Sequence, residues 1–213
     1  VPETPKYGGT LTVATGGSPA PKGFWGSVYE QFMGSDWTKG GAGTGEVNFA
    51  AGARNLEDQS MPFLSESWEM PDPSLWILNI RRGVKWQQTG FPAAAVLNGR
   101  EMTADDVVNS FNWQINENKR SWIWSAQPNV AKSTSIEKTG PWQVTIHTPE
   151  DPLTAWGWII QGAGYHRVYS YDVAKKFNHQ LIYQGEGWPY QEAVGTGPLI
   201  VEEVVAGSMT KYK

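Results

Sequence analysis

Residues 98–111 read NGREMTADDVVNSF and predict the clearest helix of the chain. Thr103 stands where a helix N-cap is expected, and the Asp106 carboxylate, three residues on, can reach back to the cap or complement the positive helix end. The apolar side chains that follow recur at helical spacing and form one stripe. Its members are Ala104, Val107, Val108, Phe111 and Ile115.

A β-hairpin is predicted ahead of this helix. Residues 64–70 and 75–80 are strand-like and flank the turn sequence PDPS at 71–74, and proline and aspartate favour turns of this kind. The second strand, LWILNI, is apolar on nearly both faces. We therefore expect it in the interior of a sheet.

Weaker patterns extend the series in both directions. Alternation and helical spacing predict, in chain order, a strand at 10–14, a short helix at 25–33, a hairpin at 133–148 turning at 139–141, a helix starting at 151, a helix near 171–178 and a strand at 199–205. Strands and helices interleave without an internal repeat, so the expected fold class is mixed α/β. The chain stops directly after a strand, which suggests a piece of a longer protein.

Composition excludes several classes of protein. The 213 residues, with 39% apolar and 18% charged side chains, suit one ordinary globular domain or slightly more. A net charge of −4 gives no basic footprint for nucleic acid. No apolar stretch approaches the roughly 18 residues of a membrane span. The lack of cysteine excludes thiolate metal sites and disulfides.

Motifs for nucleotide binding or catalysis fail on inspection. The glycine-rich residues 40–45 lack the Gly-Lys-Ser/Thr ending of a phosphate loop, and residues 195–198 include a proline that removes an N–H group. No Gly-x-Ser-x-Gly elbow occurs, and His147, His166 and His179 are not spaced as zinc ligands. His166, within a glycine-rich loop, is either a ligand contact or a plain loop residue.

Adjacent carboxylates occur at 105–106, 150–151 and 202–203. Helix-start electrostatics explain the first pair, and solvated strand or turn positions explain the others. General acid–base catalysis of glycoside hydrolysis needs two carboxyl groups across a cleft, which neighbours in sequence do not provide. The residues therefore predict a protein that is not an enzyme.

Tryptophan is the compositional anomaly, with twelve residues in the chain. Such rings build a core, or they form a stacking surface for sugars or peptides. The tryptophan content therefore leaves two classes of protein open, a carbohydrate-binding module and a structural protein of the cell envelope.

Five segments together resemble the N-terminal part of the family 5 extracellular solute-binding proteins, the peptide-, nickel- and sugar-binding receptors of ABC importers. They appear in the family's order as YGGTLTV (7–13), PFLSESWE (62–69), WILNIRRGVKW (76–86), NGREMTADDVVNSF (98–111) and VGTGPL (194–199). The chain departs from the family at Gln87-Gln88, where His-Asp is usual, and in the extra residues 89–97.

The resemblance implies an α/β fold of the periplasmic-binding-protein type II class, present as a partial lobe I with its inserted subdomain. Residues 1–45 would start lobe I, residues 46–160 would form the inserted subdomain, and residues 161–213 would return into lobe I. The second lobe would be absent, because family members are more than twice as long.

The resemblance also implies a function without covalent chemistry or a cofactor. The intact receptor would capture a small solute by closing two lobes and deliver it to an ABC permease in the membrane. An oligopeptide is the first expectation, with a sugar or a metal chelate as alternatives. The expected location is the periplasm or the extracellular face of the cytoplasmic membrane, with a lipid anchor before processing left open.

Two glycine-containing segments are the expected ligand contacts. Ligands bind at the carboxyl ends of strands in open α/β sheets, so the loop after the first strand should face the cleft. Family members approach the cleft again near residues 161–165. The predicted contacts are Gly16, Gly17, Ser18, Gly162, Ala163 and Tyr165. Plain turns are the alternative for both segments, and core packing is the expectation for the nearby Trp25, Trp156, Trp158 and Trp188.

Overall fold

The computed structural model describes residues 8–13, 25–36, 38, 60–148, 167–179, 188–205 and 207–213. Helices and strands interleave along these residues. In chain order they are α1 (Trp25–Val28), β1 (Met33–Ser35), β2 (Ser60–Pro62), β3 (Ser65–Asp72), β4 (Leu75–Ile80), α2 (Ala104–Asn112), α3 (Trp122–Ala126), α4 (Pro128–Ser133), β5 (Ser135–Gly140), β6 (Gln143–His147), α5 (Tyr171–Lys176), β7 (Val201–Val205) and β8 (Met209–Tyr212). None of the helices described is both long and apolar enough to cross a bilayer.

An antiparallel four-stranded sheet has the order β3-β4-β6-β5. Strand β4 lies inside it, hydrogen-bonded to β3 on one side and to β6 on the other. Its side chains alternate, and Trp76, Leu78 and Ile80 are buried on the face that meets the core. The predicted hairpin and its interior second strand are both confirmed.

Helix α2 packs its apolar stripe against β5 and β6. Ala104, Val107, Phe111 and Ile115 are buried, as the periodicity predicts. At the helix start the Thr103 backbone N–H donates to Asp106 Oδ2 over 2.8 Å, which completes the capping box from the N3 side.

Helix α2 continues into a π-helical turn at Trp113–Glu117, where the Asn118 N–H donates to the Trp113 carbonyl five residues back. Side chains donate hydrogen bonds to backbone carbonyl groups that have no helical partner in the wider turn. The Ser121 hydroxyl donates to the Gln114 carbonyl over 2.7 Å, and Trp124 Nε1 donates to the Ile115 carbonyl over 2.6 Å. The sequence analysis did not anticipate this turn.

The remaining predictions divide into confirmed and corrected ones. The hairpin β5–β6, helix α5 and strand β7 are confirmed, although the first of these turns at Pro141 and Trp142, one residue later than expected. A second strand, β8, pairs with β7, so the chain does not end on a lone strand. The helix predicted from residue 151 lies outside the described residues.

Near the N-terminus one prediction is wrong and another is too long. Residues 8–13 form no strand, and Leu11 and Val13 are 87% and 56% exposed. A strand is stabilised by pairing, and no strand of the described ranges pairs with this segment. The helix predicted at 25–33 ends at Val28, because Met33 already pairs with Pro62 in the β1–β2 ladder.

The buried residues form two hydrophobic clusters. The larger lies between the sheet and α2 and reaches Phe32 and Val173. The smaller is rich in aromatic rings, among them Tyr29, Trp113 and Trp188.

Polar contacts join the 167–179 stretch to helix α2 and the turn after it. The Tyr169 N–H donates to Ser110 Oγ over 2.8 Å. Gln114 Nε2 donates to the Arg167 carbonyl over 3.1 Å. Both Ser110 and Gln114 are buried, so these bonds hold residues 167–179 in a fixed place on α2 and the turn after it.

Candidate ligand-facing junction

The six predicted ligand contacts, Gly16, Gly17, Ser18, Gly162, Ala163 and Tyr165, all lie outside the described residues. Their assignment therefore stays a prediction. The stretches that follow them in sequence are described, however. They begin at Trp25 and at Arg167.

These two following stretches meet. The Val168 N–H donates to the Glu30 carbonyl over 3.0 Å, and the Tyr29 and Tyr169 rings pack with centroids 4.7 Å apart. Described residues that follow the two predicted ligand segments in sequence are thus neighbours. We call this meeting place, together with residues 194–199, the junction, and residues 194–199 the junction segment.

The junction segment touches the backbone of α1 directly. The Gly197 N–H donates to the Val28 carbonyl over 2.9 Å, and the Leu199 N–H donates to the Ser27 carbonyl over 3.0 Å. A Cβ atom at Gly195 would stand 1.8 Å from the Val28 carbonyl oxygen, and one at Gly197 would stand 2.3 Å from that of Ser27. Only glycine permits this approach, which explains the Gly-Thr-Gly spacing.

A carboxyl group borders the same contact. Glu30 is half-buried, and its removal from water raises the pKa of its carboxyl group. The nearby Thr196 side chain and the positive charge of Arg81 act in the opposite direction. The junction therefore has one acid whose charge is partly disfavoured by burial.

The ring of Trp188 belongs to the aromatic cluster beneath the junction. It is 8% exposed, stacks on His179 with ring centroids 4.1 Å apart, and meets Tyr29 edge-on at 5.9 Å. The expectation of core packing is confirmed for this tryptophan. Trp156 and Trp158 and the side chain of Trp25 lie outside what the structure describes.

The buried His179 pairs with the half-buried Glu192 beside this cluster. The imidazole Nε2 bonds to a carboxylate oxygen of Glu192, and the His179 side chain is only 3% exposed. Desolvation lowers the pKa of His179, although the Glu192 carboxylate works in the opposite direction. His147, in contrast, is exposed at the end of β6 and lies 3.4 Å from Glu137.

Sequence reasoning missed Gln87, whose buried side chain contacts the junction segment from more than a hundred positions away. The only signal was its place in the Gln-Gln departure from the family pattern. Within the described residues, no three side chains of the His, Asp or Glu type group as metal ligands. The junction brings together backbone hydrogen bonds, one partly buried acid and a close contact that glycine permits.

Comparison with known proteins defines the class. The chain is similar in fold to several solved structures. The peptide-complexed periplasmic binding protein DppA from Helicobacter pylori is 20% identical, with a TM-score of 0.57 over 89% of this chain and 35% of that one. HbpA2 from Haemophilus parasuis is 19% identical, with a TM-score of 0.60 over 92% and 37% of the two chains.

NikA from Brucella suis in complex with Fe(III)-EDTA is 17% identical, with a TM-score of 0.57 over 90% of this chain and 31% of that one. The chain thus spans about a third of the length of these structures, and the low identities carry the fold. No curated protein matches it in sequence.

The fold class is therefore that of the periplasmic binding proteins, represented in part, as the resemblance implies. Residues 59–213 match the family described as bacterial extracellular solute-binding proteins, family 5 Middle. The chain belongs to this family, which comprises solute-binding receptors rather than an enzyme class. Its members are periplasmic or extracellular.

Proposed function

We propose that this chain is part of an extracytoplasmic receptor of an ABC importer, which captures a peptide or a similar small solute by closing two lobes. The family match over residues 59–213 carries this proposal. Relatives of the same fold are described with a bound peptide and with a metal chelate. A permease in the membrane is the proposed partner, and no covalent step takes place.

The division of the chain follows the same proposal. Residues 1–45 begin lobe I, residues 46–160 are its inserted subdomain, and residues 161–213 return into lobe I. The second lobe lies in the part of the receptor that this chain does not cover. The proposed location of the receptor is the periplasmic or extracellular face of the cytoplasmic membrane.

The proposed ligand contacts are Gly16, Gly17, Ser18, Gly162, Ala163 and Tyr165. The hydrogen bond between Val168 and Glu30 supports this grouping, because it ties together the stretches into which both segments lead. An extended peptide would pair with such loops through main-chain hydrogen bonds, in the manner of an added strand.

The carbohydrate-binding alternative requires exposed tryptophan rings in a row. Seven tryptophans have described side chains, and all of them are buried or half-buried: Trp68, Trp76, Trp86, Trp113, Trp124, Trp142 and Trp188. This observation favours the receptor over a sugar-stacking platform.

The test uses the receptor expressed from its complete gene, freed of bound solute by unfolding and refolding. We expect mixed di- to pentapeptides to raise its melting temperature by several degrees, because a ligand bound only to the folded state stabilises it by mass action. Maltose and nickel–histidine serve as competing solute classes. A shift with sugar alone would replace the peptide assignment, and peptide cleavage during the assay would contradict the receptor.

A further inference from the structure

Gln87 is buried and makes four hydrogen bonds to the junction segment. Its backbone N–H donates to the Gly195 carbonyl over 2.9 Å. Its side-chain Oε1 accepts from the Gly195 N–H over 3.2 Å. Its Nε2 donates to the carbonyls of Gly197 and Leu199, each over 2.8 Å. Both N–H bonds of the carboxamide and its oxygen are thus engaged.

The bonded carbonyls belong to the segment that also bonds to α1. Gly197 and Leu199 donate their N–H groups to Val28 and Ser27, while their carbonyls accept from Gln87. The segment therefore ties the stretch around Gln87 to the helix that follows the proposed ligand loop. The neighbouring Gln88 is exposed, and its Nε2 donates to the Asn98 carbonyl over 3.4 Å rather than to the junction segment.

We propose that Gln87 is a positioning residue for solute capture, because its carboxamide locks the junction segment and, through it, helix α1. We call this set of four hydrogen bonds the Gln87 clamp. The proposal rests on the proposed receptor function. When a receptor closes on its ligand, any element that must be ordered at that moment subtracts its entropy cost from the affinity. Because the Gln87 clamp orders the junction when the chain folds, this entropy cost is not subtracted from the affinity for the ligand.

The three side-chain hydrogen bonds of the clamp require a planar group with one hydrogen-bond acceptor and two N–H donors. A methionine has a similar length and flexible shape, but it cannot donate. A glutamate carboxylate accepts from Gly195 but meets two carbonyl oxygens at the positions where Gln87 donates. Burial beside these oxygens raises the pKa of a glutamate introduced there, and protonation returns one donor.

The test measures hydrogen exchange of the Gly195, Gly197 and Leu199 amides in this chain, corrected for the intrinsic effect of pH. We expect Gln87→Met to lower their protection on the order of tenfold or more. The Gly195 amide loses its acceptor directly. The Gly197 and Leu199 amides keep their bonds to Val28 and Ser27, but these bonds open more often once Gln87 no longer holds the junction segment. Gln88→Met is the matched control and should leave the protection unchanged. Unchanged protection in Gln87→Met, or an equal loss in the control, overturns the clamp.

Gln87→Glu supplies a signature that simple loss of packing does not produce. Measured relative to wild type at the same pH, its protection should be low at about pH 7.5 and recover towards about pH 5, where the introduced carboxyl takes up a proton. The comparison with wild type removes the contributions of Glu30, which borders the same contact, and of His179. The same comparison decides the matter if Gln87→Met fails to fold. Protection that is independent of pH in Gln87→Glu contradicts the clamp.

A second measurement, on the complete receptor, separates this inference from the proposed function. We expect Gln87→Met to weaken binding of the peptide pool that stabilises wild type, at least severalfold, while Gln88→Met binds as wild type does. Altered exchange with unchanged peptide affinity overturns the positioning role. Absence of any peptide binding by wild type is a failure of the receptor proposal itself, and the exchange experiment still decides whether the clamp exists.

Discussion

At Gly195 and Gly197 the backbone of the junction segment passes so close to α1 that a side chain cannot be accommodated. The atoms that a new methyl group would meet are carbonyl oxygens of Val28 and Ser27, which are held in hydrogen bonds of their own. Backbone atoms cannot swing aside as a flexible side chain can. A side chain at either glycine would therefore destabilise the whole contact between the junction segment and α1.

We predict that Gly195→Ala lowers the free energy of unfolding by more than about 3 kcal/mol or prevents folding, because the clash forces the junction apart. Urea denaturation followed by circular dichroism measures the change. The matched control is Gly90→Ala, where a Cβ meets nothing within 4 Å. The control should stay within about 1 kcal/mol of wild type. Equal stability of the two variants would contradict the close approach.

The buried side chain of His179 makes the free energy of unfolding depend on pH. Burial lowers its pKa in the folded chain, so the unfolded chain takes up the proton first when the pH falls through about 6.5. The free energy of unfolding should therefore decrease from pH 7.5 towards pH 6, and the contribution is regained as the pH rises again.

Urea denaturation at several pH values checks this slope, with His179→Gln as the variant that cannot titrate. The difference between wild type and variant isolates His179 from Glu30, whose raised pKa acts in the opposite direction. A wild-type stability that rises on acidification more steeply than that of the variant would contradict the buried neutral imidazole.

Residue roles of this kind were the least predictable from the sequence. The glycines at 195 and 197 were visible as a motif, but the oxygens they approach belong to residues 27 and 28. The partners of Gln87 lie 108 to 112 positions away. Neither local propensity nor periodicity records which distant segment a side chain will meet.

At the scale of single elements, prediction succeeded where the pattern is local. The β3–β4 hairpin follows from strand alternation around a proline-rich turn, and α2 follows from its cap and its apolar stripe. It failed at residues 10–14, whose strand would need a partner from elsewhere. It also overextended the helix at 25–33, because the pairing of β1 with β2 takes precedence over helical spacing.

The cap of α2 permits a prediction with a matched control. Asp106 accepts from the Thr103 backbone and from both terminal nitrogens of Arg100, over 2.6 and 2.7 Å, and its side chain is 12% exposed. Asp106→Ala should lower the free energy of unfolding by about 1–2 kcal/mol. The Asp105 side chain is 64% exposed and pairs with Lys138 at the surface, so Asp105→Ala should cost no more than about 0.5 kcal/mol.

Urea denaturation of both variants measures the difference, and the shared change to alanine cancels most of the effect of helix propensity. Since the two aspartates are neighbours in the first turn, a general effect of helix-end charge would affect both. Equal losses would therefore contradict a specific role for the capping box.

At the scale of the whole molecule, the buried tryptophans make the receptor fold distinguishable from a sugar platform. The seven described rings are buried or half-buried, and several lie within the two hydrophobic clusters. We predict that acrylamide quenches most of the tryptophan emission only after unfolding in urea. Equal quenching of the folded and the unfolded chain would favour the exposed platform.

In the proposed receptor this chain forms part of one lobe, which limits the ligand affinity that it can have by itself. A ligand held by one wall of a cleft stays partly hydrated, and its polar groups lack the partners that the opposing wall would supply. Closure by hinge motion removes that water and completes the contacts. Affinity is thus expected from the complete receptor and not from this chain by itself.

Titration calorimetry of peptide into the complete receptor and into this chain, under identical conditions, tests the central claim most directly. The account predicts saturable heat for the complete receptor at micromolar or tighter affinity, and only the heat of dilution for the chain alone. Micromolar binding by the chain alone, or no binding of peptide, sugar or metal chelate by the complete receptor, would contradict capture by enclosure.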